Sequence, residues 1–331
     1  YNIIVIIIVR EYMKTIIIKQ NDINKRIDNF LSKLFQNLKK SEIYKLLRNK
    51  KIKVNDKKVN FDYRLMMNDK IKIFLDIESE KSISRHKLWK QADSDIKVVY
   101  EDKNIIIVNK PVGLMVYDEK QKTVNTLINK IIKYLYENNE YNDESENSFI
   151  PSLAHRIDTN TSGIIIAAKN SESLKELNEI FKEKLIKKTY LTLVYGIVEH
   201  KHREINCFIR KSNKNIVDAS FDKKNSQFKE AVTKYKLLNT FSNKYSLLEV
   251  DLITGRTHQI RATFNLINHP LVGEKKYIKS FINKDSRFKH QCLVSHKIKF
   301  FELNTGILNY LSNKEFKVND IWFLDLLNSK H

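Results

Sequence analysis

Glycine and proline are scarce in this chain, with six and three respectively among 331 residues. Against so poor a background, each remaining glycine marks a turn or a close backbone approach. Five of them (Gly113, Gly163, Gly196, Gly255 and Gly273) fall inside the segments singled out below, as do Pro111 and Pro270. Cysteine is nearly absent. Cys207 and Cys292 are too few for a disulfide framework or a cysteine metal cluster, which points to a reducing compartment, the cytoplasm. Long apolar runs are missing too. The stretch IIVIIIV at 3–9 is too short to span a bilayer, and it lacks the basic flank and cleavage site of a signal peptide. The regular pattern begins at Met13, so residues 1–12 are expected to lie upstream of the native start. Acidic charge is in short supply: 39 Asp and Glu against 60 Lys and Arg give a net +21 and a pI near 9.6. Such a field gathers polyanions, and nucleic acid is the first partner to consider. Lysine enrichment of solvated faces would give the same balance, so charge supports this partner without deciding it.

What is present is globular. Hydrophobic residues make up 42% and charged residues 30%, and the length suits one large core plus a small module. Residues 20–78 form the predicted module, with residues 1–19 as an amino-terminal extension. Ile27, Phe30, Leu31, Leu34 and Leu38 recur at helical spacing, and Ser41 is placed to cap a second helix bearing Ile43, Leu46 and Leu47. IKVNDKKVN at 52–60 reads as a hairpin around an Asn-Asp turn. Positions 13–78 carry 17 Lys/Arg against 8 Asp/Glu, which fits a nucleic-acid surface. This module resembles the ribosomal-protein S-four type RNA-binding domain through LLRNKKIKVND, with Lys50 and Asp56 standing where that pattern has glycines.

Residues 79–93 are polar and aperiodic and read as a linker; 94–331 form the second predicted domain. There IIIV (105–108), IIIAA (164–168) and LTLVY (191–195) look like strands buried on both faces. Ser173 and Glu176 suggest a capping box for a helix carrying Leu174, Leu177, Phe181 and Leu185. The acidic stretch NNEYNDESENS (138–148) reads as a surface loop.

The segment HRIDTNTSGIIIAAK (155–169) sets His155, Arg156 and Asp158 in a tight loop before a buried strand. A carboxylate at a sheet edge stays ionised only if donors or a cation face it, and Thr161, Ser162 and backbone N–H groups are the local candidates. Such a group can act as a nucleophile. Taken alone, an aspartate in a loop is most often a turn residue. His155 and His258 have no partners at metal-ligand spacing, and no metal is expected.

The full string HRxDxxTSG resembles the signature of the RluA-type pseudouridine synthases, the group with RluC-like and RluD-like members. The similarity extends over most of 98–300: VVYEDKNIIIVNKPVGLMV (98–116), KKTYLTLVYG (187–196), TGRTHQIRATFNLINHPLVGEKKY (254–277) and, more weakly, QCLVSHKIKF (291–300). The resemblance implies an α+β fold whose catalytic domain holds a mixed, largely antiparallel sheet, preceded by the small α/β module. It implies isomerisation of uridine to pseudouridine in structured RNA without cofactor, and the basic amino-terminal module favours large-subunit ribosomal RNA as the target. Asp158 becomes the attacking carboxylate, at ribose or at uracil, with Tyr190 and Arg261 completing the catalytic set. Expected RNA contacts are Arg156, His155, Lys110, Arg256 and His258, with Arg48 and Lys45 in the small module. Arg156 would fill the space left by the extruded uridine, and His258 would hydrogen-bond within its own turn. Three departures, Tyr117 for His, Glu274 for Asp and Val294 for His, bear on substrate contacts and packing. Transfer RNA as substrate, and a non-catalytic RNA-binding assembly factor, stay open at this level. A monomer free of membrane attachment is the expected state.

Overall fold

The computed structural model describes residues 12–35, 38–75, 87–120, 122–212, 216–277 and 285–328. The apolar run at 3–9 and most of the predicted linker, through residue 86, lie outside the described residues.

The small unit is a three-stranded antiparallel sheet under two helices. Its strands are β1 (Tyr12–Ile17), β2 (Ile52–Val54) and β3 (Lys70–Leu75), in the order β1-β3-β2. Helices α1 (Ile27–Leu34) and α2 (Lys40–Arg48) lay their i, i+3, i+4 residues on it. Phe30, Leu31, Ile43, Ile52, Ile71 and Ile73 are all fully buried there. The unit therefore starts earlier than position 20: residues 12–17, assigned above to an extension, pair along all of β3. Ser41 sits inside the first turn of α2, and it is Glu42 that reaches back to accept from the Lys39 N–H at 2.7 Å. The expected hairpin shrinks to a single bridge, Val54 with Lys57, around Asn55 and Asp56; the ladder partner of β2 is β3. Lys50 and Asp56 take φ of 57° and 65°, so the glycine conformation is kept without glycine.

The second unit is built on an eleven-stranded sheet among the described residues. Its strands are β4 (Lys97–Glu101), β5 (Ile105–Lys110), β6 (Ser152–Leu153), β7 (Ser162–Ala168), β8 (Ile186–Tyr195) and β9 (His202–Lys211). They continue with β10 (Val217–Ser220), β11 (Lys229–Phe241), β12 (Tyr245–Leu252), β13 (Leu293–Phe300) and β14 (Glu315–Lys317). The order is β10-β9-β11-β12-β8-β13-β7-β5-β4, with β14 on β13 and β6 on β7. All pairs are antiparallel except β7 with β13.

The apolar runs have a plain cause. Helix α3 (Leu127–Glu137) covers Ile106, Val108, Ile165 and Ala167 on one face. Helices α4 (Ser171–Lys182) and α6 (Trp322–Asn328) cover Ile105, Ile107, Ile164 and Ile166 on the other. Alternate side chains of β5 and β7 thus meet helices on opposite faces, and each strand reads as unbroken hydrophobicity. Helix α5 (Gln259–Leu266) packs Ile260 and Phe264 against Tyr190, Leu248 and Val250.

Three expectations change here. Trp89, assigned to the linker, is buried against Tyr136 and Tyr141, so residues 87–93 belong with the large sheet. Helix α4 is capped by Asn170, whose Oδ1 accepts from the N–H and Oγ of Ser173, both at 2.8 Å; Glu176 instead accepts from the Leu308 N–H. The acidic loop is not simply solvated. Its Asn147 donates to the Ile17 carbonyl at 2.7 Å and to the fully buried Asp22 at 3.1 Å, and Ser148 also bonds Asp22. Asn21 donates to Glu146 at 2.9 Å and accepts from the Ser171 N–H at 3.0 Å. This polar seam seats the small unit on the large one. No helix among the described residues is long and apolar enough to cross a membrane.

Candidate active site

The loop carrying Asp158 enters β7 and is pinned at several points. The Thr161 N–H closes a turn on the Asp158 carbonyl at 3.0 Å, and the Gly113 N–H donates to the Thr159 carbonyl at 3.0 Å. Beneath it lies Lys110, fully buried, whose Nζ donates to the carbonyls of Pro111, Leu114 and Thr159 at 2.8–2.9 Å. Burial pushes the Lys110 ammonium down to about 7, against the opposing pull of the Asp158 carboxylate. The expected RNA contact at Lys110 is therefore corrected: this side chain ties the Lys-Pro-x-Gly turn to the Asp158 loop. His155 is corrected likewise. Its Nε2 accepts from the Ile166 N–H at 3.2 Å, and its ring packs on Phe181 at 5.0 Å. Burial first, and Lys188 second, hold it down to about 3, so its neutral ring offers no charge to a phosphate.

Sheet register brings the other elements to this loop. Ser295 on β13 faces Gly163 at the start of β7 on one side and Tyr190 on β8 on the other. Gly163 has φ of 107°, and a Cβ there would stand 2.2 Å from the Ser295 carbonyl oxygen. Only glycine permits so close a parallel pairing. Tyr190 is buried, which pushes its phenol up to about 12, so at neutral pH it is a proton-bearing hydroxyl.

The segment TGRTHQIR folds as a turn leading into α5. Gln259, buried, accepts from the Arg256 N–H and the Thr254 hydroxyl, both at 2.9 Å, and donates to the Val232 carbonyl and Thr233. His258 takes a left-handed φ of 51° just before the helix. Its Nδ1 lies 2.6 Å from the Tyr277 hydroxyl, not within its own turn, and its Nε2 is 3.7 Å from Asp158 Oδ2. Burial holds this imidazole below its ordinary value, with Asp158 pulling the other way.

Arg261 is the hub. Its Nη1 donates to Asp158 Oδ2 at 2.7 Å, while Nε and Nη2 grip Glu274 at 2.6 and 2.8 Å. Glu274 is buried and also accepts the N–H groups of Lys275 and Lys276. Desolvation opposes the Glu274 charge, yet the Arg261 hydrogen bonds and charge prevail and hold its carboxyl below the usual range. The Tyr277 ring lies 5.3 Å from the guanidinium. Asp158 thus receives its donor from Arg261. Thr161 and Ser162, proposed above for that task, do otherwise: the Thr161 hydroxyl accepts from Gln291 at 2.9 Å, and Ser162 is buried in β7.

Asp158, Tyr190 and Arg261 line one cavity of about 600 Å³, together with Arg156, Arg256 and His258. That is the size of sites that enclose small ligands. Arg156 is exposed at the rim, 3.8 Å from Glu119, and Tyr117 is exposed beside it. Lys45 and Arg48 lie elsewhere, on the small unit, around a hollow of about 320 Å³ shared with Tyr44 and Phe61. Val294 is core. Tyr277 carries no expectation from sequence, and Glu274 is expected there to bear only on substrate contacts and packing. A lone acid within the basic GEKKY was its one visible signal. Among the described residues no group of three His, Cys, Asp or Glu is placed to hold a metal ion.

Comparison with known proteins identifies the family and the fold. Residues 104–266 match the family model described as RNA pseudouridylate synthase, and residues 25–71 match the S4 domain. An uncharacterized RNA pseudouridine synthase of Mycoplasma genitalium is 35% identical over 307 residues, covering 91% of this chain and 94% of that one. A ribosomal large subunit pseudouridine synthase C of Rickettsia bellii is 34% identical over 271 residues, covering 79% and 85%. Among solved structures, human RNA Pseudouridylate Synthase Domain Containing 4 superposes with a TM-score of 0.54 at 17% identity. It covers 67% of this chain and 88% of its own. At that identity the likeness concerns the fold.

Proposed function

This chain belongs to the RNA pseudouridylate synthase family and carries an S4 domain, and on that footing we propose that it isomerises specific uridines in large-subunit ribosomal RNA, with Asp158, Tyr190 and Arg261 as its catalytic residues. The observation that carries the residue assignment is the 2.7 Å bond from Arg261 to Asp158 at the wall of a cavity that Tyr190 also lines.

In this reading a target uridine leaves its stack, at a cost of a few kcal/mol, and enters the cavity. Asp158 attacks the ribose or the uracil ring as the glycosidic C–N bond breaks. The base turns and forms a bond from its C5 to the ribose C1′; the C5 proton passes to solvent and the freed N1 takes one up, so the product is an isomer of the substrate. Asp158 leaves the adduct, and the carboxylate is regenerated. Arg261, immobilised by Glu274, aims Asp158 and stabilises its charge. Tyr190 presents its ring to the base and its hydroxyl to the moving proton. Arg156, exposed at the rim, is suited to stack where the base had been. Lys45 and Arg48 of the S4 domain and Arg256 at the cleft supply phosphate contacts. The two buried free cysteines fit work in the cytoplasm.

The test is tritium release from transcripts labelled at the uracil ring carbon. Wild type is expected to release it and Asp158→Asn to release none while still binding RNA; release at the normal rate by the Asn variant would remove Asp158 from the chemistry. Mapping pseudouridines in cells lacking the gene separates ribosomal from transfer RNA as the substrate.

A further inference from the structure

Two cavity lysines are not used by the scheme above, the exposed Lys276 and the half-buried Lys188. Lys188 lies two residues before Tyr190 on β8, so both side chains point to the same face of the sheet. It lines the same cavity as Asp158. Most cations near it already have partners. Lys187 pairs with Asp251 at 2.8 Å, Arg261 with Glu274, and Arg156 faces Glu119. Among the described residues, the Lys188 ammonium lies over Phe181, 5.7 Å from the ring centroid, with the neutral His155 as a neighbour; no hydrogen bond or carboxylate engages it. Burial draws its pKa downward, and no neighbouring acid counters that. A half-buried cation without an acid is costly unless a ligand supplies the negative charge.

Gly255 completes the feature. The other five glycines have φ between 74° and 107°, where a side chain is strained, but Gly255 does not. A Cβ at Gly255 would meet only the Lys188 Nζ, at 3.6 Å, an ordinary contact. In a chain with so little glycine, the backbone conformation does not call for one here. What its bareness provides is an open slot on the cavity wall beside an unpaired ammonium.

We infer that Lys188 and the bare backbone at Gly255 form a phosphate subsite, which holds a phosphate flanking the uridine seated at Asp158. The inference rests on the pseudouridine synthase reading and adds to it the group that fixes the extruded nucleotide by its backbone. A phosphate is the anion every RNA substrate carries, it tolerates any neighbouring base, and it needs no side chain on the opposite wall.

The experiment uses the full chain and an unmodified large-subunit ribosomal RNA transcript. Tritium release by wild type is measured first, and its absence would strike the family-based reading and not this one. Affinity is then measured in the Asp158→Asn background between about 50 and 200 mM salt, where one lost phosphate contact lowers the log–log slope by about 0.7–0.9. For Lys188→Gln in that background the expectation is about 5–10-fold weaker binding and the reduced slope, and Lys188→Arg restores the slope; with Asp158 intact, Lys188→Gln is expected to raise KM and keep kcat within about twofold. Gly255→Ala leaves Lys188 in place and the fold unstrained, and is expected to weaken binding by filling the slot. Unchanged affinity and slope in Gly255→Ala would overturn the subsite, even if Lys188→Gln does not fold. A fall in kcat at constant KM and slope would overturn it too, moving Lys188 into the chemistry.

Discussion

Glu274 holds Arg261 by two hydrogen bonds, 2.6 Å to Nε and 2.8 Å to Nη2, which leaves the Nη1 edge to meet Asp158. The guanidinium is therefore oriented before any substrate arrives, and the fork geometry makes the orientation specific.

Glu274→Gln keeps the shape and removes the charge that fixes this orientation. The expected outcome is a fall in kcat of about 10–100-fold, consistent with roughly 1.4–2.7 kcal/mol of lost stabilisation. KM should change less, and stability should also drop, because breaking one side of a buried ion pair is costly. Glu274→Asp, the residue common in the resembling family, should recover most of the rate. Single-turnover kinetics on a defined RNA check both variants.

Gly163→Ala would force a Cβ to 2.2 Å from the Ser295 carbonyl oxygen, in the pairing that sets the Asp158 loop beside Tyr190. Relief requires moving backbone, so a loss of about 3 kcal/mol or more is expected. Urea denaturation measures it, and activity should fall further than the lost folded fraction accounts for.

His155 links stability to pH. Folded, its imidazole is held down to about 3, whereas the unfolded chain protonates it near its ordinary value of about 6.5. Between those values the unfolded state binds more protons, so stability falls as the pH drops below about 6.5. From pH 7 to pH 5 this one group should remove about 1–2 kcal/mol. His155→Asn, which can still accept from the Ile166 N–H, should flatten that part of the curve in pH-dependent urea melts.

Lys50→Gly should stabilise the small unit. A lysine at φ 57° is strained, and glycine removes the strain at some cost in unfolded-chain entropy. The net expectation is a gain of about 0.5–1 kcal/mol, read as a higher denaturation midpoint with unchanged slope. Asp56→Gly should gain less, since aspartate tolerates this region better.

Much of the molecule was legible where its signals are contiguous. The runs at 105–108 and 164–168 read as strands because both their faces meet helices, and the loop at Asp158 announced itself as a string. Other features depend on chain segments meeting from afar. The Arg261–Asp158 contact spans 103 positions, and Glu274 joins it only because the segment after α5 folds back. Lys110 looked like a surface cation; its burial follows from three carbonyls that converge only in the folded turn. Residues 12–17 read as an extension because their partner, β3, begins more than fifty residues later. Trp89 reads as linker for the same reason: a polar stretch carries no sign that its ring is covered by α3.

The seam through Asp22, Asn147 and Ser148 has a consequence for recognition of a large target. Directional bonds resist sliding, so on the proposed function Lys45 and Arg48 are carried at a set span from the cavity at Asp158 instead of wandering on a tether. Once one end of a folded RNA is captured, the other end meets its counterpart as an intramolecular step, at an effective concentration fixed by that span. RNAs whose shape matches the span gain avidity without any base being read, and those that do not are left with a single weak hold.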